Sequence, residues 1–465
     1  MKTTITFLTL LTFLSINFIF AGTYSGGAGT QVDPYQISNF NDLVQLQATT
    51  GDYGAYFIQT ADIDASASSS LDGGAGFSPI GKIGVQLFSG NYNGNGKKIS
   101  NLTINRPAED QIGLFGYTNN CTIVNVHLLN ASIKGKDNTG GIAGLLWNGA
   151  IVSKSSFNGS LAGAYHVGGV AGDTEAPEAN QLTNNIEECS VSGTVVGNDF
   201  VGGIIGLHRG IVRKSSCSAI VEGVHYVGGI CGHNYFNNAI IETSFSTSNV
   251  KGRAYLAGLV GYNVGTVQNC YTIGHVQTTE TFQGGGLVGE NYGGYIINCY
   301  AATTVVGDNL FHAGLLGFNH DAQNPSPITS SYWDKEATNI THNSGGGTGL
   351  STADMKNQAN FINWDFNTTW EIVSCKNYPV LQWQQINCEN TDVANTQQET
   401  IEVIQKSNQL IIQTEEDCNA SVYALSGVRV MLSKLHKGMN VIDITSLQRG
   451  IYCIQVQKKV YKISK

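Results

Sequence analysis

A five-residue pattern, a small or apolar residue followed by Gly, two apolar residues and Gly, recurs eight times in this 465-residue chain. Successive copies are 26 to 34 residues apart and most often 28, a spacing typical of repeat architectures and not of a single phosphate-binding loop or linker. The first glycines are Gly113, Gly141, Gly169, Gly203, Gly229, Gly258, Gly286 and Gly314.

Each copy then carries a second block, Ile or Val followed three residues later by a thin residue, as in Ile241 and Ser244 or Val267 and Cys270. Short runs rich in Val, Ile and Tyr between Gly and Asn predict strands. Strands this short cannot bury a face alone, so equivalent strands must stack from copy to copy. We therefore predict an all-β fold in which residues 111–332 form a β-solenoid (β-helix) of about eight 28-residue coils.

The corners of the coils are where the glycines are expected to act, by supplying positive φ angles and close backbone approach. Two adjacent apolar residues follow the first glycine, Leu287 and Val288 for example, which predicts a bend that lets both point inward. A recurring aromatic residue is expected to stack as a structural ladder. Its predicted members are Tyr165, Phe200, Tyr226, Tyr255, Phe282 and Phe311.

The segments around the repeats differ in composition and predict further domains. A bare end coil would expose strand edges, so caps are expected at both ends of the solenoid. Ser351 and Asp354 have capping-box spacing before a short helix in the second cap. The predicted segments are an N-terminal cap with the first coils (22–110), a C-terminal cap (333–386), a linker (387–400) and a small β-sandwich (401–465).

Residues 1–21 have one early positive charge at Lys2, an interrupted apolar stretch and a small residue at Ala21, which indicates a secretory signal peptide. The alternative is an N-terminal anchor helix. No other segment is expected to span a membrane, so the mature chain is predicted to be exported. A net charge of −9 with 13% charged residues does not favour binding to nucleic acid or to an anionic membrane surface. A neutral ligand, a cell-wall polymer and a protein remain candidate binding partners.

The ten cysteines of an exported chain invite a disulfide interpretation. Cys189, Cys270 and Cys299 occupy the thin position of the repeat and are predicted to be core residues. Two pairs outside the repeats are better candidates for bridges: Cys375 with Cys388, and Cys418 with Cys453. No CxxC is present, so metal binding by the cysteines is not expected, and we predict no metal site and no cofactor.

Several motifs resemble known families. "GGLVG" (285–289), "GGIIG" (202–206) and "AGLVG" (257–261) resemble the GLUG repeat of exported bacterial surface proteins. The C-terminal "VYALSGVRV…GIYCIQV…KVYKISK" resembles the sorting domain of the type IX secretion system of Gram-negative bacteria. The resemblance implies a secreted or cell-surface protein that engages the type IX machinery, and it implies no chemistry.

Catalysis on a solenoid would require convergent acidic residues, because glycosidases use a pair of carboxylates. The nearest pair is Asp62 and Asp64, for which turn and cap hydrogen bonding is the preferred interpretation, whereas Glu187 and Glu188 are neighbours on opposite faces. Neither HExxH nor GxSxG is present. We therefore predict no catalytic residues.

The repeats vary in length between the first glycine and the second block, so the variable corners are expected to stack along one edge, which is often the binding face of a solenoid. Tyr, Trp and Asn suit sugar faces or protein contacts, although Asn also closes turns. The predicted ligand-binding residues are Trp147, Asn148, Tyr235, Phe236, Tyr262, Asn263, Asn291, Tyr292 and His320.

Two functions follow from these observations. The first is a secreted or surface-linked, adhesin-like solenoid that binds a glycan or a host or cell-surface protein without catalysis. The alternative is a carbohydrate-active enzyme, a polysaccharide lyase or hydrolase, on the same fold. A groove holding two carboxylates, or a carboxylate and a basic residue, would favour the enzyme, and an aromatic edge would favour binding.

Overall fold

The chain divides into two compact units, Met1–Ile386 and Asn387–Lys465. The computed structural model describes most of both units, and the predicted signal peptide (1–21) and linker (387–400) lie outside the described residues. The described residues are 22–176, 184–279, 283–307, 312–320, 327–340, 345–373, 375–376, 378–386, 402–406, 408–414, 417–424, 429–447, 451–456 and 459–464.

The first unit is a parallel β-solenoid, which confirms the predicted fold class. Each coil contributes strands in turn to four sheets, and each strand pairs with its equivalent in the next coil; Val260, for example, pairs with Val288. The first sheet contains Thr139–Gly140, Tyr165–Gly168, Asp199–Gly202, His225–Gly228, Ala254–Ala257, Gly284–Gly285 and His312–Ala313. The second sheet contains Phe115–Asn119, Ala143–Trp147, Ala171–Glu175, Ile205–His208, Cys231–Asn234, Val260–Asn263, Val288–Asn291 and Leu316–Asn319.

The third and fourth sheets extend into residues 22–110, so that segment supplies the first strands of the solenoid. The third sheet contains Tyr35–Ile37, Tyr56–Gln59, Asn91–Asn93, Thr122–Val124, Ile151–Ser153, Asn185–Glu187, Ile211–Arg213, Ile240–Glu242, Thr266–Gln268, Tyr295–Ile297 and Ile328–Thr329. The fourth sheet contains Ile63–Asp64, Lys98–Ser100, Thr103–Asn105, His127–Lys134, Ser156–Ala162, Ser190–Val196, Ser216–Cys217, Ile220–Glu222, Phe245–Ser246, Asn249–Gly252, Tyr271–Thr272, His275–Thr278, Tyr300–Ala301, Thr304–Val306, Tyr332–Asp334 and Thr348–Leu350.

Helices are short and lie outside the repeats. The longer α-helix, Phe40–Ala48, is N-capped by Asn39, whose side chain accepts a hydrogen bond from the Asp42 amide, and its buried Leu43 and Leu46 join the solenoid core. The other described helices are the α-helix Lys335–Thr338 and the 3-10 segments Thr50–Asp52, Ser66–Gly74, Asp354–Lys356, Gln358–Asn360 and Gln382–Gln384.

The core confirms the predicted bend after the first glycine. Both apolar residues of each copy are fully buried, as Ile142 and Ala143 or Leu287 and Val288 show. The aliphatic residues of the second block form a further inward column. Its fully buried members are Ile123, Val152, Ile186, Val212, Ile241, Val267 and Ile296.

The repeat glycines are required for close approach and not for positive φ, so one of their two predicted roles is wrong. None of the eight first glycines has a positive φ. A Cβ on Gly229 would lie 2.1 Å from the carbonyl oxygen of Gly258, and one on Gly286 would lie 2.0 Å from that of Gly314. Adjacent coils therefore approach through their bare glycine backbones.

Positive φ occurs instead at the corner between the third and fourth sheets, at residues that carry side chains. This column has φ of 43° to 55° and comprises Asn125, Lys154, Glu188, Lys214, Thr243, Asn269, Asn298 and Ser330. The thin residue that follows closes the turn: Ser215 Oγ donates to the Arg213 carbonyl (2.9 Å) and accepts from the Cys189 amide (3.2 Å). A thiol can make the same bonds weakly, which explains why Ser and Cys alternate here, and burial raises the pKa of Cys189 to about 12.

The segment after the last coil folds back along the fourth sheet, where three tryptophans donate their indole N–H groups to three of the corners in the positive-φ column. Trp364 bonds the Ser330 carbonyl (2.7 Å), Trp370 bonds Asn269 Oδ1 (3.3 Å) and Trp383 bonds the Thr243 carbonyl (2.8 Å). The predicted helix here is two 3-10 turns, although Ser351 Oγ does accept from the Asp354 amide (3.0 Å). A two-stranded sheet, Trp370–Glu371 with Val380–Leu381, completes the segment.

The second unit consists of two antiparallel sheets around one core that includes Leu410, Val422 and Ile454. The three-stranded sheet contains Glu402–Lys406, Gln409–Thr414 and Gly438–Asp443. The four-stranded sheet contains Cys418–Ala424, Arg429–Leu435, Ile451–Val456 and Lys459–Ser464.

The two predicted disulfides have different outcomes. The Cys418–Cys453 bridge is wrong, because the antiparallel register places Cys453 opposite Tyr423 and Cys418 opposite Leu435. Cys375 is disulfide-bonded, and its predicted partner Cys388 lies outside the described residues.

Candidate functional site

The outer face of the second sheet carries most of the predicted ligand-binding residues. When the coils are aligned on the second glycine of each repeat, the first and third residues after it point outward and the second points inward. The first outer column contains Tyr117, Leu145, Asp173, Leu207, His233, Tyr262, Glu290 and Phe318. The second outer column contains Asn119, Trp147, Glu175, Arg209, Tyr235, Val264, Tyr292 and His320.

An inward asparagine ladder supports this face. Asn234 Nδ2 donates to Asn263 Oδ1 (2.8 Å), Asn263 Nδ2 to Asn291 Oδ1 (2.7 Å), and Asn291 Nδ2 to Asn319 Oδ1 (3.3 Å). Asn263 and Asn291 are fully buried, so the structure removes these two predicted residues from the ligand-accessible set. Their amides are engaged with each other and with the corner carbonyls of Gly265 and Gly294.

We expect Asn263→Leu to lower the free energy of unfolding by about 2–4 kcal/mol, because it leaves the Asn234 amide donor and the Asn291 amide oxygen buried without their partner. Asn237→Leu, at an exposed corner, is the matched control and should change stability by less than about 0.5 kcal/mol. Denaturant unfolding of the two variants checks the difference, and equal stabilities would show that the ladder contributes nothing.

Four predicted residues come together in an open groove. Tyr235, Phe236, Tyr262 and Tyr292 line it together with His233, Asn237 and Val264, and its volume is about 540 Å³. The Tyr262 and Tyr292 rings stack with centroids 6.3 Å apart, and Tyr235 and Tyr292 are 42% and 50% exposed. Exposed ring faces at coil spacing provide flat apolar area with hydroxyl groups at its edge.

The groove is backed by a stacked aromatic ladder in the first sheet. Phe200, Tyr226 and Tyr255 each have φ of 58°, and neighbouring rings lie 4.9 and 4.8 Å apart, nearly parallel. Positive φ is unusual for bulky residues, so the stacking and pairing must hold them there. The predicted ladder needs correction at two positions, because His166 and not Tyr165 lies opposite Phe200, and the register places Gln283 and not Phe282 opposite Tyr255. Phe282 and Phe311 themselves lie outside the described residues.

The remaining predicted residues lie beside the groove or away from it. The His320 ring packs 4.7 Å from Tyr292 at one end. Trp147 packs against Tyr117 (6.3 Å) three coils before Tyr235, and Asn148 donates to Asn119 Oδ1 (3.1 Å) at that corner. Trp147 and Asn148 are therefore on the same side of the solenoid but do not line the groove.

Charged residues on this face were missed by the sequence analysis. Asp173 is almost fully buried, accepts from Arg209 Nη1 (2.6 Å) and lies 3.1 Å from His166 Nδ1. Arg209 Nη1 also lies 3.8 Å from Glu175, whose carboxyl pKa is raised by burial and by Asp173. The Arg209 guanidinium lies over the Tyr235 ring at 5.2 Å, so this cluster adjoins the groove. Alignment on the second glycine was the signal that could have found it.

Other carboxylates have structural roles. Asp62 Oδ1 accepts from the Lys98 amide (2.9 Å), and Asp64 Oδ1 accepts from the Ser66 amide and Asn101 Nδ2 (3.0 Å each), which confirms the turn and cap interpretation. Within the described ranges, no group of three or more His, Cys, Asp or Glu side chains is placed to hold a metal ion.

Comparisons with known proteins assign the second unit. Residues 406–465 match the family described as "Secretion system C-terminal sorting domain". This tail is a sorting domain. A type IX sorting domain indicates secretion with surface attachment and engagement of the type IX machinery. Apart from the undescribed residues, the chain has no helix with the length and apolar character needed to cross a bilayer.

The sorting domain accounts for a small part of the chain, and the solenoid has its own relatives. Halomucin of Haloquadratum walsbyi is 32% identical over 405 residues, which are 84% of this chain and 4% of halomucin. A protein of Evansella cellulosilytica, provisionally named a Gly-rich membrane protein, is 28% identical over 77% of this chain and 45% of its own. The chain thus spans less than half the length of either relative. A crystal structure from Bacteroides ovatus, provisionally named an immunoglobulin A1 protease, covers 77% of this chain and 95% of its own at 19% identity and a TM-score of 0.47.

Proposed function

We propose that this protein is a non-catalytic, adhesin-like β-solenoid of the GLUG-repeat type, which is exported with a signal peptide and its sorting domain and binds glycan through the outer face of the second sheet. The observation that carries the proposal is the groove formed by Tyr235, Phe236, Tyr262 and Tyr292. Tyr262 lies on a strand, and the other three rings lie in the corners directly after the neighbouring strands. The buried asparagine ladder joins these strands from coil to coil, so the site is preorganised and little side-chain order has to be gained on binding.

Sugar rings suit this groove better than a flat protein contact does. Aromatic side chains offer their faces to the C–H groups of a sugar, and the tyrosine hydroxyls and Asn237 can bond its hydroxyl groups. Stacked strands repeat about every 4.8 Å along a solenoid, so Tyr262 and Tyr292 on successive coils present two faces to one extended ligand.

A glycan array probed with the secreted chain tests the proposal. We expect Tyr262→Ala and Tyr235→Ala each to weaken binding of the selected glycan by about tenfold or more, because each removes a central aromatic contact. Tyr295→Ala is the matched control, since Tyr295 is 46% exposed on the third sheet, and should bind as the native chain does. Unchanged binding in both groove variants, with intact folding, would remove the groove from the proposal.

The enzyme alternative is favoured by two specific observations. Asp173, Glu175 and Arg209 converge on the same face. A second groove of about 510 Å³ contains Glu188 and Lys214 with Trp383. Asp173 is held by Arg209 and His166 in a buried ion-pair cluster, which supports a structural role for it. Shortening of a bound polysaccharide by the native chain, lost in Glu175→Gln, would support the enzyme over the binding module.

A further inference from the structure

Glu290 is a buried carboxylate beside the aromatic groove, and only 6% of its surface is exposed. It lies in the first outer column between Tyr262 and Phe318, and two residues before Tyr292, which directly follows the end of its strand, Val288–Asn291. Its side chain therefore projects from the outer face next to two residues that line the groove.

Among the described residues, no group donates a hydrogen bond to the Glu290 carboxylate or forms an ion pair with it. Burial raises the pKa of this carboxyl, and only the more distant charge of His320 opposes the shift. The equivalent residue Asp173, in contrast, is neutralised by Arg209 and His166. A largely buried carboxylate without a protein donor loses much of its hydration, and a cationic group supplied by a ligand would compensate for that loss.

The surroundings of Glu290 are those that bind ammonium groups. Tyr262 lies opposite Glu290 on the neighbouring strand, and the Tyr226 ring packs 5.5 Å from the Tyr262 ring and 4.8 Å from the Tyr255 ring. Faces of aromatic rings attract cations, and a carboxylate among them adds a charge-assisted hydrogen bond.

Gln283 provides a second acceptor at this position. Gln283 and Glu290 have the same offsets from Gly286 as His166 and Asp173 have from Gly169, and the latter pair is in contact at 3.1 Å. The Gln283 side-chain oxygen is buried, with no hydrogen-bond partner among the described residues. Two acceptors without donors match the several N–H donors of a protonated amine.

We propose that Glu290 binds the ammonium group of an amino sugar whose ring lies against Tyr262 and Tyr292. The inference rests on the proposed glycan-binding function and specifies its ligand class as saccharides that carry free amines, such as glucosamine oligomers. Acidic saccharides are disfavoured, because Glu290, Asp173 and Glu175 place more negative than positive charge on this face.

Titration calorimetry near neutral pH with glucosamine oligomers and N-acetylglucosamine oligomers of equal length tests the proposal. The native chain should bind the free amine form more tightly. Glu290→Gln should weaken binding of that form by about tenfold or more and leave the acetylated form unaffected, since only the charge-assisted bond is lost. Glu222→Gln, on the fourth sheet, is the matched control and should bind as the native chain does.

Thermal unfolding without ligand provides a second readout, because removing an unpaired buried charge should leave Glu290→Gln at least as stable as the native chain. A clear loss of stability would make Glu290 structural and overturn the proposal. Equal binding of both oligomers, with Tyr262→Ala still weakening them, would overturn the amine inference and leave the groove intact. Absence of all saccharide binding would overturn the proposed function itself, and binding of lysine oligomers alone would replace the sugar with a peptide.

Discussion

Gly229→Ala is expected to lower the free energy of unfolding of the solenoid by about 3 kcal/mol or more. The added Cβ would lie 2.1 Å from the Gly258 carbonyl oxygen and 2.1 Å from Ser246 Oγ. The Ser246 side chain can move, but the carbonyl belongs to the backbone of the next coil, and relieving the contact requires those coils to separate. Overpacking that displaces backbone typically destabilises a protein by this amount. Denaturant unfolding of the variant measures the change in the free energy of unfolding.

Gly54→Ala is the matched control for this substitution. Gly54 also lacks a positive φ, and the space beside it is open: the nearest atom to a Cβ there would be Ser89 Oγ at 3.8 Å, an ordinary contact. We expect a stability change within about 0.5 kcal/mol. Similar losses at both positions would mean that glycine is not specifically required between coils, and that close backbone approach does not explain the repeat.

Deletion of residues 401–465 is expected to reduce the extracellular protein to background and leave the solenoid in the periplasm. The sorting domain has a core of its own, separate from the solenoid core, so the first unit should remain folded when the second is removed. Immunoblotting of culture medium, cell surface and periplasm measures the distribution, and circular dichroism of the retained chain checks its strand content.

A point variant tests whether export requires the sorting domain to be folded and not only present in the chain. Ile454→Asp places a charge in the centre of the domain, where Ile454 is fully buried, and should reproduce the deletion. Val32→Asp is the control, because Val32 is 95% exposed in the first unit and the same change there should leave export intact. Release of the deleted chain at the native level would contradict the role assigned to the sorting domain.

The candidate site could be predicted only in part. Tyr235, Phe236, Tyr262 and Tyr292 were found because aromatic residues at variable corners are visible along the chain, and the structure brings them into one groove. Asn263 and Asn291 were assigned to the same surface, but strand alternation turns them inward to bond their equivalents in neighbouring coils. Residue type alone could not distinguish an asparagine whose side chain is available to a ligand from one whose side chain hydrogen-bonds to the next coil.

The acidic residues of the face show the same limit. Asp173 and Glu290 share one position of the repeat, but they are four coils apart and the copies between them carry Leu207, His233 and Tyr262 there, so no run of acidic residues marked the position. Their properties depend on neighbours in other coils: Arg209 and His166 neutralise Asp173, whereas Glu290 lies opposite Tyr262. Arg209 follows Asp173 by 36 residues along the chain, and only the register of the coils brings such partners together.

The sequence by itself determined the solenoid, its period and its inward aliphatic columns, because every strand must bury the same aliphatic positions against its equivalents. It also determined the export signal, since the sorting domain is encoded in one contiguous segment. Only the tertiary structure decided which side chains share the outer face and which charges remain without a partner. The repeat pattern determines locally which side chains are buried. Which charged side chains form ion pairs depends instead on the bends that bring one coil beside the next.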